Sequence, residues 1–265
     1  MNKTILITGS TDGIGKLTAI KLANEGYTVF VHGRNAKKLS ATISEIKEIT
    51  NNINIDGFVA DLSNLDEVKQ LAIAVQEKVS KLDVLINNAG VYKSSAATNK
   101  NGLDMRYAVN YFAPYVLTNM LLPLLRKSET PRVINLSSAA QSSIKAATLL
   151  GETNEMDGAT YAQSKLALLM WSFYLATKEP NILVIPVNPG SLLNTNMVKE
   201  AFGKSWSSAD KGATILYNLA ISENHKNNSG KYFDNDKGSY GNAHPDAYDV
   251  NKIHQLIELT EKVLS

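Results

Sequence analysis

Short apolar runs alternate with helical patterns along most of this chain. The runs Ile5-Leu6-Ile7 and Val29-Phe30-Val31 contain no polar position, which is typical of strands in a parallel sheet that is covered on both faces. The apolar runs predict strands at residues 4–8, 28–32, 53–60, 84–87, 132–136, 183–187 and 231–233. The helical patterns predict helices at residues 14–24, 36–50, 65–79, 102–125, 161–178 and 209–220.

Strand–helix–strand alternation with short connections predicts an α/β fold, namely a doubly wound parallel sheet of about seven strands with helices on both faces. The chain has 265 residues and no internal repeat or linker rich in Pro or Ser, so we expect a single domain over residues 1–265. Residues 222–248, rich in Gly, Asn, Asp and Ser, form its least regular stretch.

Two predicted helices, at residues 105–125 and 166–175, are apolar on nearly every side. A helix on the outside of a sheet keeps one polar stripe, so a helix without one needs a second covering surface. Contact with another copy of the chain, in a homodimer or homotetramer, is the favoured cover. Deeper burial within the fold is the alternative.

Composition narrows the possible partners and compartments. Apolar residues make up 44% of the chain, charged residues make up 20%, and the net charge is +2, so there is no electrostatic surface for nucleic acid or an anionic membrane. The absence of cysteine excludes disulfides, zinc–thiolate sites and cysteine nucleophiles. The N-terminal apolar run is too short for a signal peptide, and Arg106, Asn110 and Asn119 interrupt the stretch 105–125. We therefore expect a soluble, cytoplasmic protein.

A glycine-rich turn follows the first predicted strand and leads directly into a helix. Its sequence is Gly9-Ser10-Thr11-Asp12-Gly13-Ile14-Gly15. Such a turn aims unpaired backbone N–H groups and the positive end of the helix at one point, where a pyrophosphate fits. An ordinary strand-to-helix turn with incidental glycines is the alternative interpretation of this segment alone.

Tyr161 and Lys165 lie four residues apart at the start of a predicted helix, so their side chains share one helical face. A phenol with a pKa of about 10 is a poor acid–base catalyst at neutral pH, and a fixed positive charge beside it lowers the pKa. The pair can therefore exchange a proton with an alcohol or carbonyl oxygen. The pattern Tyr-x-x-x-Lys is common by chance, and its value here is its position after the strand at 132–136.

Five motifs in this order resemble the short-chain dehydrogenase/reductase family over about residues 1–200. They are the turn from Thr8 to Gly15, Asp61-Leu62, Asn87-Asn88-Ala89-Gly90, the strand ending in Ser137-Ser138 followed by Tyr161 and Lys165, and Asn188-Pro189-Gly190. The resemblance implies a Rossmann fold, a nicotinamide dinucleotide cofactor and a carbonyl or alcohol substrate.

The resemblance also implies a role for each matching residue. Tyr161 is the general acid or base, and Ser138, rather than Ser137, polarises the substrate oxygen. Lys165 lowers the pKa of Tyr161 and binds the nicotinamide ribose, and Asn110 completes the set with a backbone-bonded water that relays protons to Lys165. The implied cofactor contacts are Gly9, Ser10, Thr11, Asp12, Gly13, Ile14, Gly15, Arg34, Asp61, Leu62, Asn87, Ala89, Gly90, Tyr161, Lys165, Pro189, Gly190 and Thr195.

The end of the second predicted strand indicates which nicotinamide cofactor to expect. In the family an acidic residue there holds the ribose hydroxyls of NAD(H), whereas this chain has Gly33 followed by Arg34. A guanidinium binds a 2′-phosphate with two hydrogen bonds, and the missing carboxylate removes repulsion. NADP(H) is therefore expected in preference to NAD(H), unless Arg34 is simply a solvated residue. Further donors to this phosphate are expected from Ser10, Thr11, Lys37 and Lys38.

Ser138 and Tyr161 are 23 residues apart, which is more than the family usually has. The extra segment, about residues 141–158, resembles an insertion of the retinol-dehydrogenase-like branch and is expected to form a wall of the substrate pocket with Leu149 and Met156. Residues 191–208 are expected to form an apolar lid, with packing on the core as an equal alternative. The apolar positions of this lid are Leu192, Leu193, Met197, Val198, Phe202 and Trp206.

We therefore expect an NADP(H)-dependent oxidoreductase that acts on a hydrophobic carbonyl or alcohol. No metal is expected, because the four histidines have no acidic partners at ligand spacing. A redox sensor or scaffold that binds NADP(H) without turnover is the alternative, although a pure binder gains nothing from keeping all four residues of the set Asn110, Ser138, Tyr161 and Lys165. An epimerase or dehydratase is disfavoured, because only about 65 residues follow Glu200.

Overall fold

A computed structural model of the chain describes residues 2–203 and 206–265. In this part of the chain eight strands form one sheet in the order β3-β2-β1-β4-β5-β6-β7-β8, in which β1 to β7 run parallel and β8 pairs antiparallel with β7. The seven predicted strands are present with ends shifted by no more than two residues, and β8 was not predicted. The strands are β1 Thr4–Ile7, β2 Thr28–Gly33, β3 Ile55–Val59, β4 Val84–Asn87, β5 Arg132–Leu136, β6 Leu183–Asn188, β7 Phe233–Asp234 and β8 Ser239–Tyr240.

Helices fill the connections between the parallel strands, and polar side chains mark where several of them begin. Asp12, Asn35 and Asn64 each accept a backbone N–H from the first turn of the helix that follows. A π-helical turn, Ala108–Phe112, joins α4 to α5. The helices are α1 Gly13–Asn24, α2 Ala36–Thr50, α3 Leu65–Lys78, α4 Met105–Tyr107, α5 Ala113–Leu125, α6 Ala146–Leu149, α7 Asp157–Lys178, α8 Asn196–Phe202, α9 Ala209–Ile221 and α10 Val250–Leu264.

The sheet is covered on both faces, as its apolar strands predict. Leu6 of β1 belongs to one core cluster and its neighbours Ile5 and Ile7 belong to the other, because successive strand residues point to opposite faces. Helices α3, α5, α7 and α10 contribute to the first cluster, and α1, α2 and α9 contribute to the second. The doubly wound α/β fold is therefore confirmed.

The two helices that are apolar on nearly every side are covered within the chain itself. A contact with a second copy of the chain is therefore not needed to explain their apolar surface, and the expectation that such a contact covers them is wrong. Leu168 and Trp171 of α7 are buried in the same core cluster as Leu256 of α10. The phenol of Tyr111 and the hydroxyl of Thr260 on α10 lie 2.7 Å apart, within hydrogen-bonding distance. The apolar helices consequently give no argument for a homodimer or homotetramer.

Among the described residues, one helix has the length and hydropathy of a membrane span. It is Met105–Leu125, and 78% of its most apolar window is buried inside the fold. A core helix of a soluble protein has the same properties, and here the apolar surface packs against α3, α7 and the sheet.

Candidate active site

A cleft of about 390 Å³ lies along the carboxyl ends of the parallel strands. Its centre is at the neighbouring strands β1 and β4, after which the chain continues to opposite sides of the sheet. Ser138 lines the cleft, whereas Ser10, Asn87 and Asn110 do not. The predicted cofactor contacts that line it are Gly9, Thr11, Asp12, Gly13, Ile14, Gly15, Arg34, Asp61, Leu62, Ala89, Gly90, Tyr161, Lys165, Pro189, Gly190 and Thr195.

Close packing explains the glycines of the turn after β1. A Cβ atom on Gly9 would lie 2.7 Å from Cα of Ala89, and one on Gly15 would lie 2.4 Å from Nδ2 of Asn88. That amide donates to the carbonyl oxygens of Thr8 and Gly9, each at 2.8 Å. The glycine turn and the segment after β4 are therefore joined at the floor of the cleft.

The start of helix α1 supplies hydrogen-bond donors to the cleft. The N–H of Gly13 bonds to Oδ1 of Asp12 at 2.7 Å. The N–H groups of Ile14 and Gly15 lie in the first helical turn, where no carbonyl of the helix reaches them. Both residues line the cleft, so this end of it fits the pyrophosphate of a dinucleotide.

The ends of β2 and β3 form the other part of this region. A Cβ atom on Gly33 would lie 2.5 Å from Cγ2 of Thr11, so a larger residue at position 33 would collide with the glycine turn. Arg34 is exposed and lines the cleft together with Asp61 and Leu62. No described carboxylate forms an ion pair with its guanidinium, which remains available to an anionic ligand.

The structure contradicts three of the expected phosphate donors. The hydroxyl of Ser10 is fully buried and donates to a carbonyl oxygen of β1 at 2.7 Å. The ammonium of Lys38 pairs with Asp12 at 2.7 Å, and this bond holds the pKa of Asp12 below its usual value. Asn196 of α8 donates to the same carboxylate at 2.8 Å. Lys37 does not line the cleft.

The two serines after β5 have different surroundings. Ser137 is buried, and its hydroxyl donates to the carbonyl oxygen of Lys165 at 2.9 Å. Ser138 is half-buried in the cleft, accepts the N–H of Ala140 at 3.1 Å and hydrogen-bonds the phenol of Tyr161. Both serines line the cleft, but the hydroxyl of Ser137 is bonded to the carbonyl oxygen of Lys165, so Ser138 is the serine better placed to bind a substrate.

Burial determines the electrostatics of Tyr161 and Lys165. It lowers the pKa of Lys165 to about 7, and Nζ of Lys165 donates to the carbonyl oxygen of Leu136 at 2.7 Å and lies 5.6 Å from the centre of the Tyr161 ring. Burial also raises the pKa of Tyr161, and the hydrogen bond from Ser138 offsets this only in part. Lys165 is not among the groups that shift the pKa of Tyr161 in this structure, and its expected lowering of that pKa stays a prediction.

Asn110 lies in the π-helical turn and is completely buried. Its amide accepts the N–H of Val91 at 2.8 Å and donates to the carbonyl of Val91 and the hydroxyl of Ser164, each at 3.0 Å. The amide of Asn110 therefore holds the segment after β4, and the expected water relay to Lys165 stays a prediction. A Cβ atom on Gly90 would lie 3.2 Å from Oδ1 of Asn110 and 3.3 Å from Nζ of Lys165, so both side chains converge there.

Only part of the expected lid lines the cleft. Leu193, Met197 and Val198 do so, whereas Leu192 does not, and Trp206 is 73% exposed outside the lining. Residues 204 and 205 and the side chain of Phe202 lie outside the described residues. Of the expected lid, only the beginning of α8 and the loop before it therefore line the cleft.

The insertion does not form the expected wall of the substrate pocket. Leu149 is fully buried in the core, and Met156 is 82% exposed. In the described part of the chain, the cleft has no lining residue from 141–158. The insertion instead contacts the site indirectly, through Tyr92 of the loop after β4. The centre of the Tyr92 ring lies 4.9 Å from that of Tyr161. The Tyr92 hydroxyl would lie 3.0 Å from a Cβ atom on Gly158 of the insertion.

The predicted site residues did not include His32, Asn88 and Asp236, although Asn88 lies in a motif that the sequence analysis used. The first two line the cleft, and Asp236 accepts hydrogen bonds from Asn188 and from the N–H and hydroxyl of Ser191, which holds the loop containing Pro189 and Gly190. The position of His32 and Asn88 at carboxyl strand ends was the available signal. The described residues contain no group of three His, Cys, Asp or Glu side chains that could hold a metal ion.

Comparison with known proteins identifies the family. A sequence model of the short chain dehydrogenase family matches residues 3–206. Retinol dehydrogenase 13 from Homo sapiens is 31% identical over 251 residues, which cover 88% of this chain and 76% of that protein. Polyprenol dehydrogenase from Homo sapiens is 30% identical over 257 residues, which cover 89% of this chain and 78% of that protein.

Solved structures agree with this assignment. The crystal structure of a short chain dehydrogenase from Escherichia coli CFT073, complexed with NADPH, superimposes with a TM-score of 0.74 at 28% identity and covers 89% of this chain and 97% of that chain. The chain therefore belongs to the short-chain dehydrogenase/reductase family, in its retinol-dehydrogenase-like branch. It is an oxidoreductase of a family that binds a nicotinamide cofactor.

Proposed function

We propose that this protein transfers a hydride between NADP(H) and a hydrophobic carbonyl or alcohol. One observation carries the proposal: a single cleft contains the glycine turn with its helix start and also Ser138, Tyr161 and Lys165. A dinucleotide held at the turn and a substrate held at the phenol would therefore share one cleft.

Arg34 and Gly33 favour NADP(H) over NAD(H). The guanidinium of Arg34 lines the cleft without an ion-pair partner among the described residues, and Gly33 leaves no carboxylate to repel a 2′-phosphate. Two similar structures, from Escherichia coli and Shigella flexneri, contain NADPH or NADP. These observations support the preference for the phosphorylated cofactor.

The side chains of this protein transfer the proton and orient the substrate. The bound nicotinamide supplies or accepts the hydride, which no protein side chain can do. The hydroxyl of Ser138 donates to the substrate oxygen, and Tyr161 gives that oxygen its proton in reduction or removes it in oxidation. Nζ of Lys165 and Oδ1 of Asn110 both lie close to Gly90, and Lys165 provides positive charge at this point when it is protonated.

The substrate end of the cleft indicates an apolar compound. Leu193, Met197, Val198 and Val109 line it, and among the described residues the only Lys or Arg side chains that do so are Arg34 and Lys165. The relatives named above act on retinol and polyprenol, which are apolar isoprenoid alcohols. We propose an apolar aldehyde or ketone and its alcohol as the substrate pair.

The proposal is tested by following NADPH consumption with a panel of apolar aldehydes, ketones and quinones. We expect turnover of some member by the wild-type protein and its loss in Tyr161→Phe. Tyr174→Phe is the matched control, because Tyr174 is a half-buried tyrosine of the same helix that does not line the cleft. Equal activity of wild type and Tyr161→Phe would contradict the proposed role of the phenol, and NADPH binding without any turnover would favour the sensor.

A further inference from the structure

Arg106 is a buried cation held between two carboxylates. Its side chain is 4% exposed, and Nε and Nη2 donate to the two oxygens of Asp104 at 2.8 and 2.6 Å. Nη1 donates to Oδ1 of Asp157 at 2.7 Å. The geometry is that of a two-pronged guanidinium–carboxylate pair with a third bond to a second acid.

This ion pair joins the beginnings of two helices. Asp104 caps α4, and its Oδ1 also accepts the backbone N–H of Arg106 at 2.8 Å. Asp157 is the first residue of α7. Residues four positions apart share a helix face, so Asn110 lies one turn beyond Arg106, and Tyr161 lies one turn beyond Asp157. Each partner therefore fixes a helix start one turn before a residue of the candidate active site.

A second contact ties the same helices just past Tyr161. Oε1 of Gln163 accepts the backbone N–H of Lys145 at 2.9 Å and the phenol of Tyr107 at 3.3 Å, and Nε2 of Gln163 donates to Glu155. Gln163 and Asp157 thus anchor α7 on either side of Tyr161. This first part of α7 is also where the insertion rejoins the helix.

Burial gives a reason to look beyond a purely structural function. Replacing a buried ion pair by apolar residues is often neutral or stabilising, so such a pair is weak evidence for stability and better evidence for a defined geometry. Arg106 lies in an otherwise apolar stretch, where a leucine or methionine would serve packing alone. The directional bonds to Asp104 and Asp157 instead set the position of one helix relative to the other.

We propose that Arg106 is a positioning residue for the active site: through Asp104 and Asp157 it fixes the start of α7 and hence the placement of the Tyr161 phenol against Ser138 and Lys165. The proposal rests on the proposed function of Tyr161. A displacement of about 1 Å at a reacting group costs on the order of 100-fold in rate, so a looser clamp lowers kcat more than it weakens binding.

The test compares Arg106→Lys with Arg132→Lys. Arg132 is a matched control, because it is equally buried, pairs with Glu223 and binds two carbonyl oxygens, but it lies at the opposite end of the sheet from the cleft. We expect Arg106→Lys to lower kcat about 10- to 100-fold with KM and the Kd for NADPH changed less than about threefold. Arg132→Lys loses a comparable amount of stability and retains kcat.

A readout independent of turnover separates this inference from the proposed function. In protein labelled with ¹³C at the tyrosine ring, the Tyr161 resonance is assigned by its absence in Tyr161→Phe and titrated with pH. We expect the titration midpoint to move in Arg106→Lys and to stay in Arg132→Lys. If both variants lose stability alike while kcat and the titration stay unchanged, Arg106 is only structural. If the wild type shows no turnover, but the titration midpoint of Tyr161 differs between the wild type and Arg106→Lys, the proposed function fails and the positioning role stands.

Discussion

Nδ1 of His32 accepts the backbone N–H of Gly9 at 3.1 Å, while Nε2 of the same ring lies 3.1 Å from the carbonyl oxygen of Ala60. Since the Gly9 contact requires an unprotonated Nδ1, the proton of the neutral ring is on Nε2. One buried histidine at the end of β2 thus joins the ends of β1 and β3, and it holds the glycine turn at the lining of the cleft.

We predict that His32 makes the fold acid-sensitive. Burial lowers the pKa of His32 from 6.5 to about 4, so the unfolded chain binds more protons between these values and stability falls as pH falls through this window. The resulting loss between pH 7.5 and pH 5 is roughly 2 kcal/mol. Urea denaturation of wild type and His32→Leu at both pH values measures it.

His32→Leu should be less stable at pH 7.5, because it leaves a buried N–H and carbonyl unpaired at about 1–3 kcal/mol. It should also lack the extra loss at pH 5. His254→Gln, an exposed change on α10, is the control that keeps the wild-type pH dependence. An unchanged difference between the two pH values in His32→Leu would show that another group causes the acid sensitivity.

The two serines after β5 should separate activity from stability. Ser138→Ala removes a donor to the substrate oxygen, so we expect kcat/KM to fall about 100- to 1000-fold with the free energy of unfolding changed by less than about 0.5 kcal/mol. Ser137→Ala removes a buried bond to the carbonyl of Lys165 and should lower that free energy by about 1–2 kcal/mol. Steady-state kinetics and urea denaturation measure both, and the reverse pattern would assign the substrate contact to Ser137.

The sequence predicts the fold well where the period of apolar residues is clear. Short apolar runs located β1 to β6, and in β1 and β2 these runs are continuous because strands buried on both faces need no polar position. Helix α10 was missed even though Ile253, Leu256, Ile257 and Thr260 repeat at helical spacing behind the capping residue Asp249. Without this helix, the apolar surface of α7 had no cover in the chain, and a second copy was wrongly expected to provide it.

The sequence predicts the site as a set of backbone positions, but not where each side chain points. The glycine turn, Ser138, Tyr161 and Lys165 meet in one cleft because motifs at the ends of adjacent parallel strands meet there. Ser10 sits in the same turn, yet its hydroxyl turns inward to satisfy a carbonyl of β1. The charge of Lys38 is taken by Asp12, a partner 26 residues away that spacing does not reveal.

Arg34 should discriminate between the two nicotinamide cofactors. A charge-assisted hydrogen bond contributes about 1.5–3 kcal/mol, so Arg34→Ala should raise the Kd for NADPH about 10- to 100-fold and leave that for NADH unchanged. Fluorescence titration measures both constants. Lys37→Ala removes a neighbouring exposed charge that does not line the cleft and should change the Kd for NADPH little. Equal weakening of NADH and NADPH binding by Arg34→Ala would contradict a contact with the 2′-phosphate.

We predict that the buried Lys165 lowers the free energy of unfolding. Burial lowers its pKa from 10.5 to about 7, so between these values the unfolded chain binds a proton that the folded chain lacks, and this group makes stability rise with pH across that window. At pH 7 the shift costs roughly 4 kcal/mol, as an upper bound. Lys165→Met should therefore have a higher Tm than wild type at pH 7 and almost no turnover.

The same pKa predicts how activity depends on pH. If the protonated ammonium is the active form, kcat/KM of the wild type should decline as pH rises through about 7. Lys165→Arg keeps its positive charge over this range, so its kcat/KM should not show this decline. The longer side chain of arginine is expected to lower the rate itself. Lys178→Met, an exposed lysine of the same helix, serves as the control for Tm and for the pH profile. A Tm of Lys165→Met at or below that of wild type would mean that the ammonium is stabilised in the fold, because its hydrogen bond to the carbonyl oxygen of Leu136 would then outweigh the loss of water.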